Sequence, residues 1–211
     1  MGKTKNNTNT KSNFISPIGY SGKVTVTVKS GKNTISKHTY KNGGGLNLWY
    51  FICAALAGQY TSAERYRPAR IVLYYCKAPT VPTDISELNV NDKFIKLTGE
   101  ISINRATEVL PVKDGSKTVN YAATLHFLIP PVYFNALSND DNISINTVVL
   151  YGKNIPTDIQ TNPQSYSAYY FFSTLDQNGN NVWDTKNILK LKDIKDNYNV
   201  IIDWEMSVDN K

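Results

Sequence analysis

The sequence has few of the residues on which common enzyme and metal chemistries depend. Its 211 residues include only two cysteines and two histidines, and no HExxH, CxxC or GxSxG motif occurs. Cys53 and Cys76 each lie among apolar residues, which predicts two small buried thiols and a reducing compartment of synthesis. The sequence therefore predicts no enzyme, no catalytic residue, no metal and no cofactor.

Long apolar runs are also absent. The longest, residues 46–57, has about 12 residues, whereas a helix that crosses a bilayer needs about 20. The opening residues, MGKTKNNTNTKSN, contain no apolar segment of the kind that a secretory signal needs, and position 6 is Asn where a myristoylation signal has Ser or Thr. We therefore expect no membrane partner and no export signal.

Acidic residues are missing from the first 63 positions. Residues 1–63 contain eight lysines and no acid, whereas residues 64–211 contain 15 basic and 17 acidic residues. This asymmetry indicates that the N-terminal part binds something acidic, either a protein surface or nucleic acid. The alternative is that the lysines only solvate an arm and an edge hairpin. The candidate partner-binding residues are Lys3, Lys5, Lys11, Lys23, Lys29 and Lys37.

The N-terminal segment differs in composition from the rest of the chain. Residues 3–13 are all Lys, Asn, Thr or Ser, so they cannot bury enough apolar surface to offset the entropy lost on ordering. We therefore predict a flexible basic arm at residues 1–19, followed by a single β-rich domain at residues 20–211.

Alternation of apolar and polar residues predicts the fold class. In KVTVTVK (23–29) valine alternates with threonine, and SGKN then leads into TISKHTY, which is typical of a β-hairpin. Further strands are predicted at 70–77, 94–104, 119–129, 142–151, 167–175 and 199–208. The segment 186–195 fits a short helix or a strand equally. About eight strands around one helix indicate a mainly β fold, either an antiparallel β-sandwich or a jelly-roll-like domain.

Three consecutive glycines precede the longest apolar run. A phosphate-binding loop needs Lys and Ser or Thr directly after its glycines, but here Leu and Asn follow. We therefore interpret Gly43–Gly45 as a turn that delivers one buried α-helix, about residues 46–57, into the core. Gly58 is the expected C-terminal cap of that helix.

Two further patterns resemble ligand sites but favour structural roles. His126 lies between Leu125 and Phe127, so strand alternation directs its side chain away from theirs. DQNGNNVWDTKN (176–187) has Gly fourth and Asn twelfth, whereas an EF-hand loop has Gly sixth and Glu twelfth. A strand histidine and a turn between strands are the preferred interpretations.

A small basic and aromatic cluster follows the predicted helix. It could stack nucleic-acid bases, but no recognised nucleic-acid-binding motif accompanies it, so nucleic acid is not the expected partner. The cluster consists of Tyr60, Arg65, Tyr66, Arg67 and Arg70.

Two alternatives with other functions remain open. Asp203 and Glu205 share one face of a predicted strand, about 6.5–7 Å apart, which is compatible with the paired carboxylates of a glycoside hydrolase. Aromatic residues could instead build a sugar-stacking platform on a carbohydrate-binding β-sandwich. The candidates for that platform are Tyr166, Tyr169, Tyr170 and Trp183. Alternation, however, places bulky side chains on both faces of 169–172, which is typical of a strand that is covered on both sides.

The order of motifs resembles a known class of proteins. A Lys/Asn/Thr arm, KVTVTVK, YKNGGG before LNLWYFICAALAG, RPARIVLYY and a closing IDWEMSV occur in that order. This order is similar to that of small virion structural proteins of crAss-like tailed bacteriophages, of the auxiliary capsid or head-fibre type. The resemblance covers roughly residues 20–77 and 198–208.

The resemblance implies a non-enzymatic homo-oligomer that resides on the virion after synthesis in the host cytoplasm. Its partners would be other virion proteins, the major capsid protein or fibre proteins. No fibrous repeat is present, so capsid decoration is expected rather than a long fibre shaft. The basic arm and the 23–41 hairpin would then dock on an acidic capsid surface, while aromatic surface is buried between copies.

Overall fold

The structure, a computed structural model, describes residues 18–41, 43–44, 46–82, 94–135, 143–157, 165–187, 189–190 and 198–210. The strands are β1 (Ile18–Ser30), β2 (Asn33–Lys41), β3 (Gly43–Gly44), β4 (Pro68–Cys76), β5 (Phe94–Lys96), β6 (Ile101–Ser102), β7 (Arg105–Asp114), β8 (Lys117–Ile129), β9 (Ser144–Ile145), β10 (Thr147–Gly152), β11 (Tyr166–Phe171), β12 (Ser173–Leu175), β13 (Asn181–Trp183), β14 (Leu189–Lys190) and β15 (Tyr198–Asn210). The helices are α1 (Leu46–Leu56), α2 (Tyr60–Tyr66) and α3 (Val132–Asn135).

The strands form two antiparallel sheets. Sheet A has five strands in the order β2-β1-β15-β8-β7. Sheet B has six strands, in the order β3-β11-β10-β4-β5 with β6 also paired to β4. Two short pairs, β12–β13 and β14–β9, lie outside these sheets. The chain is mainly β with antiparallel sheets, so the predicted sandwich-like fold class is confirmed.

The main core lies between the two sheets. The three valines of KVTVTVK are buried and stand opposite three buried residues of β15, of which Trp204 is fully inaccessible. They pack with residues from the facing side of sheet B, including Ile71 on β4, Leu150 on β10 and Tyr170 on β11. Burial of each such side chain contributes about 1.5–3 kcal/mol. The period-two pattern of β1 therefore directs one face of sheet A into the core.

A second core covers the other face of sheet B. Val72 and Tyr74 on β4, Tyr151 on β10 and Phe171 on β11 are all buried there. The hydroxyls of Tyr74 and Tyr151 lie 2.8 Å apart, so these buried polar tips satisfy each other. Sheet B is thus covered on both faces, as alternation in 169–172 predicted.

Helix α1 forms where it was predicted, but the expectation that it is largely buried is wrong. Of its described side chains only Leu48 and Ala54 are buried, because α1 packs against β11 and α2 on one side only. The amide of Gly58 donates a hydrogen bond to the carbonyl of Ala55, and the amide of Gln59 donates one to the carbonyl of Ala54. With φ of 72° at Gly58 this is a Schellman cap, which confirms the predicted C-terminus.

The glycine turn before α1 differs from expectation. Gly43 and Gly44 form β3, which pairs with Tyr169 and Ala168 at the edge of sheet B. Residues without side chains allow the backbone to lie against the neighbouring strand, so two of the three glycines extend the sheet. Gly45 lies outside the described residues.

Several strand boundaries also differ from the prediction. The predicted strand 94–104 is two strands. Between them the Thr98 hydroxyl accepts a hydrogen bond from the Leu73 amide at 3.1 Å, in place of a backbone bond between strands. The predicted strand 142–151 breaks at Asn146, whose side chain bonds both the amide and the carbonyl of Cys76. Of segment 186–195, residues 189–190 form a strand.

The predicted arm, residues 1–19, overlaps the first described strand. Strand β1 begins at Ile18, so the last two residues of the predicted arm belong to sheet A; the rest of the arm, with Lys3, Lys5 and Lys11, lies outside the described residues. Within the described ranges, no helix has the length and apolar character needed to cross a membrane.

We predict that Trp204→Ala lowers the free energy of unfolding by about 3–5 kcal/mol. Trp204 is fully inaccessible, and its ring packs edge-on against Tyr170 with centroids 5.6 Å apart. Urea denaturation followed by circular dichroism measures the change. Leu175→Ala is the control, because Leu175 is exposed and should change stability by less than about 0.5 kcal/mol. A loss below 1 kcal/mol for Trp204→Ala, by the same scale, would contradict the two-sheet core.

Candidate functional site

The outer face of sheet A carries the described candidate lysines. Strand alternation places Lys23, Lys29 and Lys37 on this face, opposite the buried valines. Lys23 Nζ lies 3.0 Å from Glu205 Oε1 on β15. Among the described residues, neither Lys29 nor Lys37 forms an ion pair with an acid. We call this surface the lysine face.

The location of the lysine face at a sheet edge has a physical consequence. Among the described strands β2 is the outermost strand of sheet A beyond β1, so Lys37 lies at an edge of the described sheet, and Lys23 and Lys29 lie on the strand next to it. Charged side chains at such an edge discourage pairing with another strand. Between the lysines, Thr25 and Thr39 are bonded through their hydroxyls at 3.0 Å, which ties the two strands together. Lys29 and Lys37 therefore extend from paired strands, on a face that also carries Glu205 and Asp203.

The carboxylates of the hydrolase hypothesis lie on this outer face, but each contacts a different side chain on a neighbouring strand. Asp203 Oδ1 is 2.5 Å from His126 Nδ1 on β8, and Glu205 is paired with Lys23 on β1. The predicted outward direction of His126 is confirmed by this contact. Each pair joins directly opposite residues of neighbouring strands. Cross-strand pairs of this kind stabilise a sheet face, so both acids already have structural partners.

The aromatic residues of the sugar-platform hypothesis lie in the core. Tyr166, Tyr169 and Tyr170 are buried between sheet B and its covering layers. The indole Nε1 of Trp183 donates to the carbonyl of Ala78 at 2.9 Å, and its ring packs edge-on against Phe171. These side chains do not form an exposed platform.

Two arginines of the basic and aromatic cluster after α1, Arg67 and Arg70, contact acids. Arg67 Nε lies 2.8 Å and Lys153 Nζ 2.6 Å from the carboxylate of Glu64. Hydrogen bonds from Arg67 and Lys153 lower the pKa of Glu64 to about 2. The guanidinium of Arg65 sits over the ring of Tyr66. Arginines so occupied are poorly placed to stack bases.

Arg70 has a structural role in the same region. Its guanidinium lies 2.5 Å from Glu100 Oε2, and it donates to the carbonyls of Gly152 at 2.6 Å and Ile155 at 2.5 Å. A hydrogen bond from the hydroxyl of Thr157 is the main cause of the lowered pKa of Glu100. Arg70 thus fastens the turn after β10 to β4.

The calcium-like loop is a β-turn region between β12 and β13. Asp176 Oδ1 accepts the amides of Asn178 and Asn180, both at 2.8 Å, and Oδ2 accepts the side-chain amide of Asn180. These bonds lower the pKa of Asp176, with the Asn180 amide contributing most. Gly179 has φ of 79°, as the turn requires. The loop saturates its own carboxylate, which confirms the turn interpretation.

A buried polar cluster was not predicted from the sequence, because its members are far apart in the chain. Asp184 Oδ2 accepts a hydrogen bond from the Tyr40 hydroxyl at 3.3 Å and from Asn187 Nδ2 at 2.8 Å. Burial, and then the charge of Asp184, raise the pKa of Tyr40 far above its usual value. Tyr170 stacks on Tyr40, and burial raises its pKa in the same direction. The cluster joins β2 to the segment after β13.

Two exposed apolar surfaces also escaped prediction. The outer part of the β7–β8 hairpin exposes Val109, Leu110 and Tyr121, although β7 was not predicted because Pro111 and charged residues interrupt its pattern. On α1, Tyr50 and Leu56 are exposed. Cys53 on the same helix is exposed as well, so the prediction of two buried thiols holds for Cys76 and is wrong for Cys53.

Comparison with known proteins identified no relative: no protein-family model, no curated protein and no solved structure matches the chain. Among the described residues, no group of three or more His, Cys, Asp or Glu side chains could hold a metal ion. Functional inference therefore rests on the charged and apolar surfaces described above.

The buried tyrosines predict a loss of stability at alkaline pH. Because the pKa of Tyr170 is raised in the folded chain, the unfolded chain releases its proton first, at a pKa of about 10. Stability from this group is complete below that pH and is lost as pH rises above it. Tyr170→Phe should therefore make the decline in unfolding free energy shallower above pH 10 by up to about 1.4 kcal/mol per pH unit.

The same variant should keep or gain stability at neutral pH. The Tyr170 hydroxyl is buried and has no hydrogen-bond partner among the described residues, so its removal costs no bond there. Urea denaturation from pH about 7 to about 11 gives both quantities. Tyr121→Phe is the matched control, since Tyr121 is exposed and the slope should not change. Equal alkaline slopes for wild type and Tyr170→Phe would count against the buried state of this phenol.

Proposed function

We propose that the chain is a non-enzymatic structural protein of a phage virion, which decorates the capsid by docking its lysine face on an acidic surface of other virion proteins. The observation that carries the proposal is the shared direction of Lys23, Lys29 and Lys37 on one face, with Glu205 the acid that pairs with one of them. Positive charge gathered on a rigid face steers an acidic partner and fixes its orientation. The motif order that resembles auxiliary capsid and head-fibre proteins supports the choice of a virion.

The fold suits this role. Both faces of sheet B are covered, so the sandwich is stable without using the outer face of sheet A as core. Lys29 and Lys37 extend from paired strands that Thr25, Thr39 and β15 hold in place. The backbone of these strands is already ordered. Binding of an acidic surface would therefore cost conformational entropy mainly in the lysine side chains themselves.

Charge reversal at the lysine face tests the proposal. The variant Lys29→Glu with Lys37→Glu should reduce incorporation into particles by at least about tenfold, since each exposed pair contributes up to about 1 kcal/mol and reversal adds repulsion. The control is Lys186→Glu with Lys190→Glu, which lowers the net charge equally at exposed positions outside sheet A. Incorporation is measured as copies per purified particle. Equal incorporation of both variants would reject docking through the lysine face.

Removal of the basic N-terminal arm is a separate test. Deletion of residues 1–13 should reduce particle incorporation and leave the fold of the domain intact, because the described part of sheet A begins at Ile18. Replacing Lys3, Lys5 and Lys11 by serine in the full chain is the companion variant, which keeps the length of the arm. Incorporation at the wild-type level in both variants would assign no docking role to the arm.

A further inference from the structure

The outer edge of β2 is the longest described sheet edge that contains no proline. β2 ends sheet A beyond β1, and no described strand pairs with its outer side. The opposite end of sheet A is β7, which contains Pro111, and a proline cannot donate a hydrogen bond to an added strand. The described edge strands of sheet B, β3, β5 and β6, have only two or three residues. β2 is therefore the described edge best suited to pair with a further strand.

The side chains of β2 leave this edge accessible to a partner. Ile35, Lys37 and Thr39 are exposed, and Ile35 retains 53% of its accessible surface. The register with β1 skips Ile35, which forms a β-bulge, whereas residues 36–41 pair with β1 without interruption. Backbone N–H and C=O groups alternate between the two sides of a strand, so every second residue of 36–41 directs both groups at the open edge. This length matches a typical strand of about five or six residues.

The two outer strands of sheet A carry charge of one sign. Residues 18–41, which comprise β1, β2 and their turn, contain five lysines and no acid. Asp203 and Glu205 lie one strand further in, on β15, where each contacts a side chain of a neighbouring strand. A lysine-bearing strand beside β2 would meet like charge, which is destabilising between directly opposite residues, whereas an acidic strand would meet opposite charge. The lysines that discourage general pairing at this edge therefore select an acidic partner.

The two faces of sheet A define the side-chain pattern of such a strand. An acid on its outer face would stand beside Lys37, and a small polar residue would stand beside Thr39, two residues further along. The inner face at this edge carries His38, which is half-buried, and the buried ring of Tyr40. An apolar side chain fits beside them. The partner strand should thus alternate acidic or small polar residues with apolar ones.

We propose that the open edge of β2 binds an extended acidic segment of another virion protein, which adds to sheet A as a further strand. The inference rests on the proposed docking through the lysine face and specifies its form. Main-chain hydrogen bonds along β2 supply affinity, and acids beside the lysines supply specificity. A folded acidic surface that covered only the side chains of the lysine face would leave the backbone groups at this edge unpaired. The backbone of β2 therefore distinguishes the two forms of docking.

Peptide binding and amide hydrogen exchange on the purified chain test strand addition. The probe is a peptide of about seven residues in which glutamate alternates with valine. Its control contains the same residues with all glutamates first, so that net charge and composition are equal. The alternating peptide should bind at least about tenfold more tightly, because only it places every glutamate on one face of an extended strand. At saturation it should slow the exchange of alternate amides in residues 36–41 at least about tenfold.

A charge reversal on β2 itself is the companion test. Lys37→Glu should weaken binding of the alternating peptide at least about tenfold, because it replaces attraction by repulsion at the edge. Lys186→Glu is the matched control, since Lys186 is exposed and lies outside sheet A, and it should change binding by less than about twofold. Circular dichroism establishes that both variants are folded.

The outcomes separate this inference from the proposed function. Equal binding of the two peptides, or binding that leaves amide exchange in residues 36–41 unchanged, would overturn strand addition. Those results would not affect docking through the lysine face, which is judged by particle incorporation of the variant Lys29→Glu with Lys37→Glu. Strand addition in the purified chain, combined with normal incorporation of that variant, would instead reject the virion role and retain β2 as a site for acidic strands.

Discussion

The packing of Trp204 and the β1 valines against sheet B is the interaction on which the rest of the structure depends. It joins a strand near the start of the described chain, β1, to the last one, β15, and places both against β4, β10 and β11. Because this contact occupies the inner face of sheet A, the charged residues of its strands lie on the outer face, which also carries Leu128 and Ile201. Lys23, Asp203 and their cross-strand partners occupy that outer face. The charged surface is thus a direct consequence of how the core is closed.

Sheet B differs from sheet A because it is apolar on both faces. Its second face is covered by other segments of the chain, and Tyr74, Tyr151 and Trp183 satisfy their polar atoms there. The α1–α2 pair packs beside β11 and β10 and is itself covered on one side only. Together these features describe a sandwich in which sheet A carries charged side chains on its outer face, whereas sheet B is covered on both faces.

The features that were predictable from sequence are those with a local cause. Valine alternation in β1 gives both the strand and its buried face, and Gly58 marks the end of α1 because only a few residues tolerate a positive φ. The partial burial of α1 was not predictable, because an apolar sequence shows that a helix can be covered but not how many of its sides the fold covers. Cys53 was misassigned for the same reason. The contact between Tyr40 and Asp184 joins residues 144 positions apart, so no local pattern reveals it.

Density for the chain within an assembled particle tests the central proposal, that the chain docks its lysine face on another virion protein. We expect Lys29 and Lys37 to face acidic side chains of that protein. A particle that contains the chain with the lysine face open to solvent, or one that lacks the chain, would contradict this account.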